Sequence, residues 1–484
     1  MTKAEKVLND IYIWLMLGVF PLFVLPGGYT NITNTKYLFF ACATAAFCIA
    51  NLILQVVQKR WRFRLSPTHW AVLAFLAAAV LSAVFSDYPV STLMGMGRSE
   101  GLPTLGLYVL VFLCAGSIGY KRSYIVPLCL SSVGFSSVAL MQFMDKNPLG
   151  LYPAEYYYYA AQDIYTARFV GTLGNEGIAC AFMCVALPFM FAYFVTSKTK
   201  RSALTLPVMA LLFFVLLYTG VLGGMLGAAA AIALACVMLF TSSRRLSRIL
   251  LALSCLTLSA AAKYLIVPHY SYPELNIEIR VNIVFVFILI AAAVPAVCAL
   301  LFHLCPFRLN VSRTRGVLLL LGATALILAL LFVLGSDASE GFVYELREVL
   351  SGNINEEFGS SRIKIWSRSL RLFLEQPVLG SGPNTVFERM DITFSRFSPI
   401  KGDYVYTSVD NAHNEYLNLL VNLGVLGLVP FVAAQVITLT GKKKPKPCVY
   451  GLLGYIVQSM FLFSICITAP YYWLLLGMCS TKSE

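Results

Sequence analysis

The sequence predicts an all-α integral membrane protein with 12–14 membrane-spanning helices and one large polar segment outside the bilayer. Three observations carry this. The 484 residues are 59% hydrophobic and only 12% charged, a balance suited to lipid and too apolar for a soluble domain. Apolar runs of about 17 to 25 residues, the length that crosses a hydrocarbon core, recur along the chain. Basic residues fall in alternate short loops, as orientation in a membrane requires.

In chain order, a short polar start carrying Lys3 and Lys6 precedes a first span at residues 11–26. No small-residue cleavage site follows it, so it reads as a retained helix with its N-terminus inside and not as a removed leader. Further spans are expected at 37–57, 69–85, 102–119, 123–144, 176–195, 203–218, 223–241, 249–267, 281–304 and 316–335. Near the end, 448–467 is one span, and 470–479 is a short last helix or a continuation, with the tail inside. Counted from an inside N-terminus, the inside loops hold Lys59 to Arg64, Lys121 and Arg122, Lys198 to Arg201, Arg244 to Arg248, Arg308 to Arg315, and Lys442 to Lys446. The chain then divides into helices at 1–335, an outside segment at 336–413 and C-terminal helices at 414–484.

The formal charge of +13 is spread over these loops, with no basic patch interleaved with aromatics. A nucleic-acid partner is therefore not expected, whereas membrane lipids are. The thirteen cysteines lie in or beside apolar runs and none falls in 336–413; they read as small core residues and not as a disulfide framework.

The outside segment concentrates ionisable side chains beside the bilayer. Residues 360–375 have helical spacing. At 100° per residue, Lys364, Arg368 and Arg371 share a narrow arc that faces solvent or headgroups, whereas Arg362 falls in the arc of Ile363, Trp366, Leu370, Phe373 and Leu374. An arginine on a packing face needs a carboxylate of the same segment or a bound anion. The turn with Gly380 and Gly382 either reverses the chain or lies against a phosphate. Of four histidines, His69, His269 and His303 sit at span ends. His413 is placed in the first turn of a helix expected at 411–439, capped by Asp410 or Ser408. There the positive helix end, and any nearby arginine, lower its pKa. The alternative is a histidine satisfied by its cap and by Glu415 or Tyr416.

Several stretches together resemble the O-antigen ligase and polymerase superfamily of bacterial envelope enzymes. They are Arg362-x-x-x-Trp366, Pro377-Val378-Leu379-Gly380-Ser381-Gly382, Ala412-His413-Asn414-Glu415-Tyr416-Leu417 and Leu423-Gly424-Val425-Leu426-Gly427-Leu428. Tyr455 to Ser459 with Trp473 to Gly477 look like the family's last spans, and Arg168 to Asn175 and Arg98-Ser99-Glu100-Gly101 like two of its outside loops. One departure is that residues 218–224 hold no arginine where the family often has an arginine-glycine pair.

The resemblance implies a metal-independent, inverting glycosyltransferase of GT-C-like architecture in the bacterial cytoplasmic membrane, without a cofactor. It implies transfer of a glycan from undecaprenyl pyrophosphate to an acceptor hydroxyl on the outer face. His413, Arg362 and Arg168 are its implied catalytic residues. Arg98, Trp366, Gly380, Gly382, Asn411, Asn414, Glu415 and Tyr416 are its implied substrate contacts. The sequence holds neither Asp-x-Asp nor His-Glu-x-x-His, so cationic side chains are expected to neutralise the leaving pyrophosphate. Whether His413 is the base or a pyrophosphate ligand stays open. Tyr156 to Tyr159 either stack on sugars or anchor at the interface. The compact outside segment favours a ligase over a repeat-unit polymerase or a protein O-oligosaccharyltransferase; a lipid-linked glycan transporter is the alternative from another class.

Overall fold

A computed structural model describes residues 2–59, 65–144, 146–152, 170–271, 274–304, 310–398, 403–441 and 443–480. Of the described residues 73% are helical, and the strands among them form two separate antiparallel hairpins. Nine helical segments among those residues are long and apolar enough to cross a membrane. The chain is therefore an all-α integral membrane protein.

Helix α1 (Lys3–Trp14) starts earlier than the apolar run at 11–26, because Thr2 and Glu5 form a reciprocal capping box. It runs into a π turn at Leu15–Val19 and stops ahead of Pro21. The carbonyls left open at that break, Phe20 O and Pro21 O, accept from the buried Lys36 Nζ at 2.7 and 2.9 Å. Lys36 belongs to α2 (Ile32–Val57). Next come α3 (Pro67–Val84), the short α4 (Pro89–Met94), α5 (Leu102–Ile118) and α6 (Ile125–Phe143).

Helix α7 (Glu176–Thr196) is the centre of the bundle, buried along nearly its whole length. It is wrapped by α8 (Thr205–Thr219) and α9 (Leu222–Leu239). Helix α10 (Ser243–Leu265) leads into the hairpin β1 (Ile266–Ser271) and β2 (Glu274–Ile279), then α11 (Ile283–Leu304) and α12 (Val311–Leu334).

The polar segment contains α13 (Gly341–Leu350), α14 (Phe358–Glu375), α15 (Val386–Arg389) and the hairpin β3 (Thr393–Ser398) and β4 (Asp403–Ser408). Neither hairpin is expected from the apolar runs. Yet each strand of the second carries two aromatic residues and a Thr, with Val405 besides in β4, side chains that suit a pleated surface.

Helix α16 (Glu415–Thr440) packs on α3. After it, the run expected as a single span at 448–467 is broken. Helix α17 (Lys446–Gln458) ends, and α18 (Ala469–Ser480) begins only after a non-helical connection. Each is too short to cross the hydrocarbon core alone. The connection supplies backbone N–H groups to two carboxylates, as described below.

Candidate active site

The site is built around the start of α16. Its N-cap is Asn414, whose Oδ1 accepts from Tyr416 N at 3.0 Å and Leu417 N at 3.2 Å. Neither Asp410 nor Ser408 caps the helix, and His413 lies before the cap, outside the first turn. The reason is local. His413 sits at φ +46°, in the left-handed region, and its N–H donates to Asn411 Oδ1 at 2.9 Å, so the chain turns sharply before helical dihedrals begin. Asn411 is buried, and its Nδ2 donates to Asp410 Oδ1.

Asp410 in turn holds Arg98 in a two-pronged pair, Nε to Oδ2 at 2.6 Å and Nη2 to Oδ1 at 3.0 Å. The Arg98 guanidinium lies 4.3 Å from the centre of the Phe463 ring, and the same ring meets the His413 imidazole edge-on at 5.5 Å. Arg98 therefore spends its charge on Asp410 and not as an open interfacial cation.

His413 Nδ1 is buried and has no hydrogen-bond partner among the described residues, so Glu415 and Tyr416 do not satisfy it. Burial above all, then the positive charges of Arg362 and Arg98, bring its pKa down to about 4 against the opposing pull of Asp410. The imidazole is thus neutral at neutral pH. The direction expected from the sequence holds, but its cause is burial before any helix end.

Arg362 opens the regular part of α14, just after three residues at positive φ, Gly359, Ser360 and Ser361. Its Nη1 donates to Gly359 O at 3.1 Å, its Nε is buried without a partner, and burial lowers its pKa. No carboxylate among the described residues pairs with it. One turn on, on the same face, Trp366 Nε1 is also buried and unpartnered. The packing face differs from the predicted arc: Ile365, Ser369 and Leu372 are buried while Leu370 and Leu374 are exposed. Arg362 and Trp366 stay on the inner side; Lys364 and Arg371 face out, and Arg368 pairs with Asp391 at 2.7 Å.

Beside this cluster lies a small cleft lined by Arg98, Glu100, Asp410, Asn411, Glu415 and Phe463 among others. Glu415 is buried, and its Oε2 accepts from Ser464 N at 2.9 Å. Glu100 accepts from Tyr108 Oη at 2.8 and 3.0 Å and from Cys466 N. Burial pushes the Glu100 carboxyl well above its usual range, in spite of the Tyr108 hydrogen bond and with the Glu415 carboxylate adding to the rise. The connection between α17 and α18 thus feeds one N–H to each acid.

Three of the expected substrate contacts meet other parts of the protein. Tyr416 points into the bundle, its hydroxyl bonding Gln435 Oε1 at 3.2 Å and Ile456 O at 3.4 Å. Gly380 and Gly382 dock the turn after α14 against α16. That helix is broken at Gly424, φ +60°, and the turn fills the break through Ser381 N to Val421 O at 3.1 Å and Val425 N to Pro377 O at 3.0 Å. A Cβ on Gly380 would fall 2.4 Å from the Asn422 carbonyl carbon, and one on Gly382 2.4 Å from Ser86 Oγ. Close approach of protein to protein explains both glycines.

Arg168 and Tyr156 to Tyr159 lie outside the described residues. The chain re-enters at Val170, Gly171 N donating to Gln142 Oε1 at 2.9 Å, and Asn175 caps α7. Among the described residues no group of three His, Cys, Asp or Glu side chains is placed to hold a metal ion. Glu100, Asp410 and Phe463 line the cleft without having been expected there. The signal for Glu100 was present, a carboxylate two residues ahead of an apolar run.

Residues 282–432 match the family model described as O-antigen ligase. That stretch includes Arg362, Asp410, His413 and Glu415, whereas Arg98 and Glu100 precede it. No curated protein and no solved structure matches the chain.

Proposed function

Starting from a chain that is a member of the O-antigen ligase superfamily through residues 282–432, we infer that it is a membrane glycosyltransferase of the ligase type. It transfers a glycan from undecaprenyl pyrophosphate to an acceptor hydroxyl at the outer face of the bacterial cytoplasmic membrane. One observation carries this reading. Arg362 is a partly buried cation with an unbonded Nε and no carboxylate partner among the described residues, and its charge acts on the unpartnered imidazole of His413. An uncompensated guanidinium in such surroundings is costly unless an anion completes it. A pyrophosphate, taken bidentately, is an anion of the right geometry.

In this reaction Arg362, with Arg168, receives the pyrophosphate and stabilises the charge that grows on it as the glycosidic bond breaks. Trp366, one turn from Arg362, and the neutral His413 border the same anion. The acceptor oxygen attacks the anomeric carbon from the side opposite the leaving group, which inverts its configuration. Protein cations take the part that a divalent metal plays elsewhere, so transfer is metal-independent. The segment 336–413 is then the catalytic one, and the alternation of basic loops supports an outside position for it.

The test is reconstitution of purified protein with undecaprenyl-pyrophosphate-linked glycan and a lipid or glycan acceptor, in EDTA. Wild type forms the new glycosidic bond, and His413→Ala and Arg362→Ala each lose about 100-fold or more in rate. A single-step product supports a ligase and a size ladder a polymerase. Glycan that crosses the bilayer with no new bond overturns the reading.

A further inference from the structure

The cleft beside His413 holds two carboxylates, and they are not equivalent. Both oxygens of Glu100 are contacted: Tyr108 Oη shares its one proton between Oε1 at 2.8 Å and Oε2 at 3.0 Å, and Cys466 N donates to Oε1. Glu415 is bonded on one side only, Oε2 accepting from Ser464 N at 2.9 Å, while Oε1 has no partner among the described residues. The two acids line one cleft with Arg98 and Asp410, and they interact electrostatically across it. Arg98 does not neutralise Glu415, because its guanidinium is bound two-pronged to Asp410. Among the described residues the cleft therefore presents Glu415 Oε1 as a carboxylate oxygen that receives no hydrogen bond, two residues from His413 on the chain.

The geometry points to Glu415 as the group that takes the proton from the acceptor hydroxyl, with Glu100 as a second carboxylate that positions it. This rests on the transferase reading above. It gives His413 the other role, beside the pyrophosphate. A histidine flanked by Arg362 and Arg98, with its pKa near 4, is a poor proton acceptor, and its N–H is suited to the leaving group's oxygens. In the step, the acceptor O–H bond breaks and its proton passes to Glu415 Oε1. The acceptor oxygen bonds to the anomeric carbon as the bond from that carbon to the phosphate oxygen breaks. The electron pair leaves with undecaprenyl pyrophosphate, and the proton is later lost from Glu415 to water. Fixing both acids to N–H groups of one connection, at Ser464 and Cys466, explains why the last apolar stretch is broken there instead of continuing as one span.

Glu415→Gln keeps an oxygen for Ser464 N but cannot take a proton. In single-turnover transfer with undecaprenyl-pyrophosphate-linked glycan, it is expected to slow bond formation by about 100-fold or more while donor affinity stays within about twofold. Glu415→Asp, which retains a carboxylate, is expected to recover part of that rate. Glu100→Gln loses about tenfold through positioning alone. A wild-type rate in Glu415→Gln, or a loss of donor binding that accounts for its slower rate, overturns the inference. Labelling of the wild type with a hydrophobic carbodiimide supplies a test that needs no folded variant. Activity is expected to fall in step with modification of Glu415, and activity that survives full modification overturns the assignment. If wild type itself forms no product, it is the transferase reading that fails, not the choice of base.

Discussion

Helix α16 carries two polar regions about two and a half turns apart, and they are treated in opposite ways. At its break, Asn422 and Gly424 meet the turn after α14, and the groups that face each other across it find partners, although Gln376 Oε1 at the end of α14 is buried without one. Gly382 N donates to Asn422 O at 2.9 Å and Leu426 N to Val378 O at 3.2 Å. Asn422 Oδ1 accepts from Val386 N at 3.1 Å and Thr385 Oγ1 at 3.2 Å. At its start, Arg362 Nε, Trp366 Nε1 and His413 Nδ1 are all buried and unbonded. Native proteins leave few buried polar atoms unsatisfied. Local rules are broken where a ligand completes the structure, and kept where the structure completes itself.

The largest effect should come from filling the self-complete region. A Cβ at Gly424 falls 2.2 Å from Val378 O, on a backbone at φ +60°. Gly424→Ala is expected to cost about 3 kcal/mol or more, read as a lowered unfolding temperature in detergent. If the variant melts with wild type, the break is not held as described.

Arg362→Met should act with the opposite sign on stability. It removes a cation with no carboxylate partner and keeps much of the side-chain volume. The unfolding temperature should therefore hold or rise while transfer is lost. A clear drop in unfolding temperature would show that Arg362 is satisfied structurally, and the contrast between the two regions would disappear.

A smaller effect concerns pH. Burial and two arginines hold the folded-state pKa of His413 at about 4, below its ordinary 6.5. Between those values the unfolded chain binds a proton that the folded chain refuses. This contribution to stability is complete above pH 6.5 and is lost as the pH falls toward 4. Unfolding measured from pH 7.5 to 4.5 should show less decline in His413→Gln than in wild type. Equal slopes would place the imidazole in water.

Much of the frame was legible in the sequence, because apolar runs and capping residues are local signals. Arg362 was placed on an inner face by helical periodicity, and Asn414 and Glu415 stood out beside His413. What escaped was non-local. The pair between Arg98 and Asp410 joins residues 312 positions apart, and no spacing rule reaches that far. The predicted arc put Leu370 and Leu374 inside, but the neighbours of α14 cover the face of Ile365, Ser369 and Leu372 and leave both leucines exposed; which face a helix buries is set by elements distant in sequence. The left-handed His413 moved the helix start past the expected cap. Gly380 and Gly382 carried a phosphate-like pattern, but it serves a helix break that becomes visible only once Gly424 is seen against Val378.

In the proposed function a pyrophosphate completes the uncompensated charge of Arg362. The most direct measurement is equilibrium binding of a polyprenyl pyrophosphate to the purified protein, wild type beside Arg362→Met, with the matching polyprenyl alcohol as control. Wild type is expected to bind the pyrophosphate at least tenfold more tightly than the alcohol, with most of this preference lost in the variant. Equal affinities for pyrophosphate in the two proteins would contradict it.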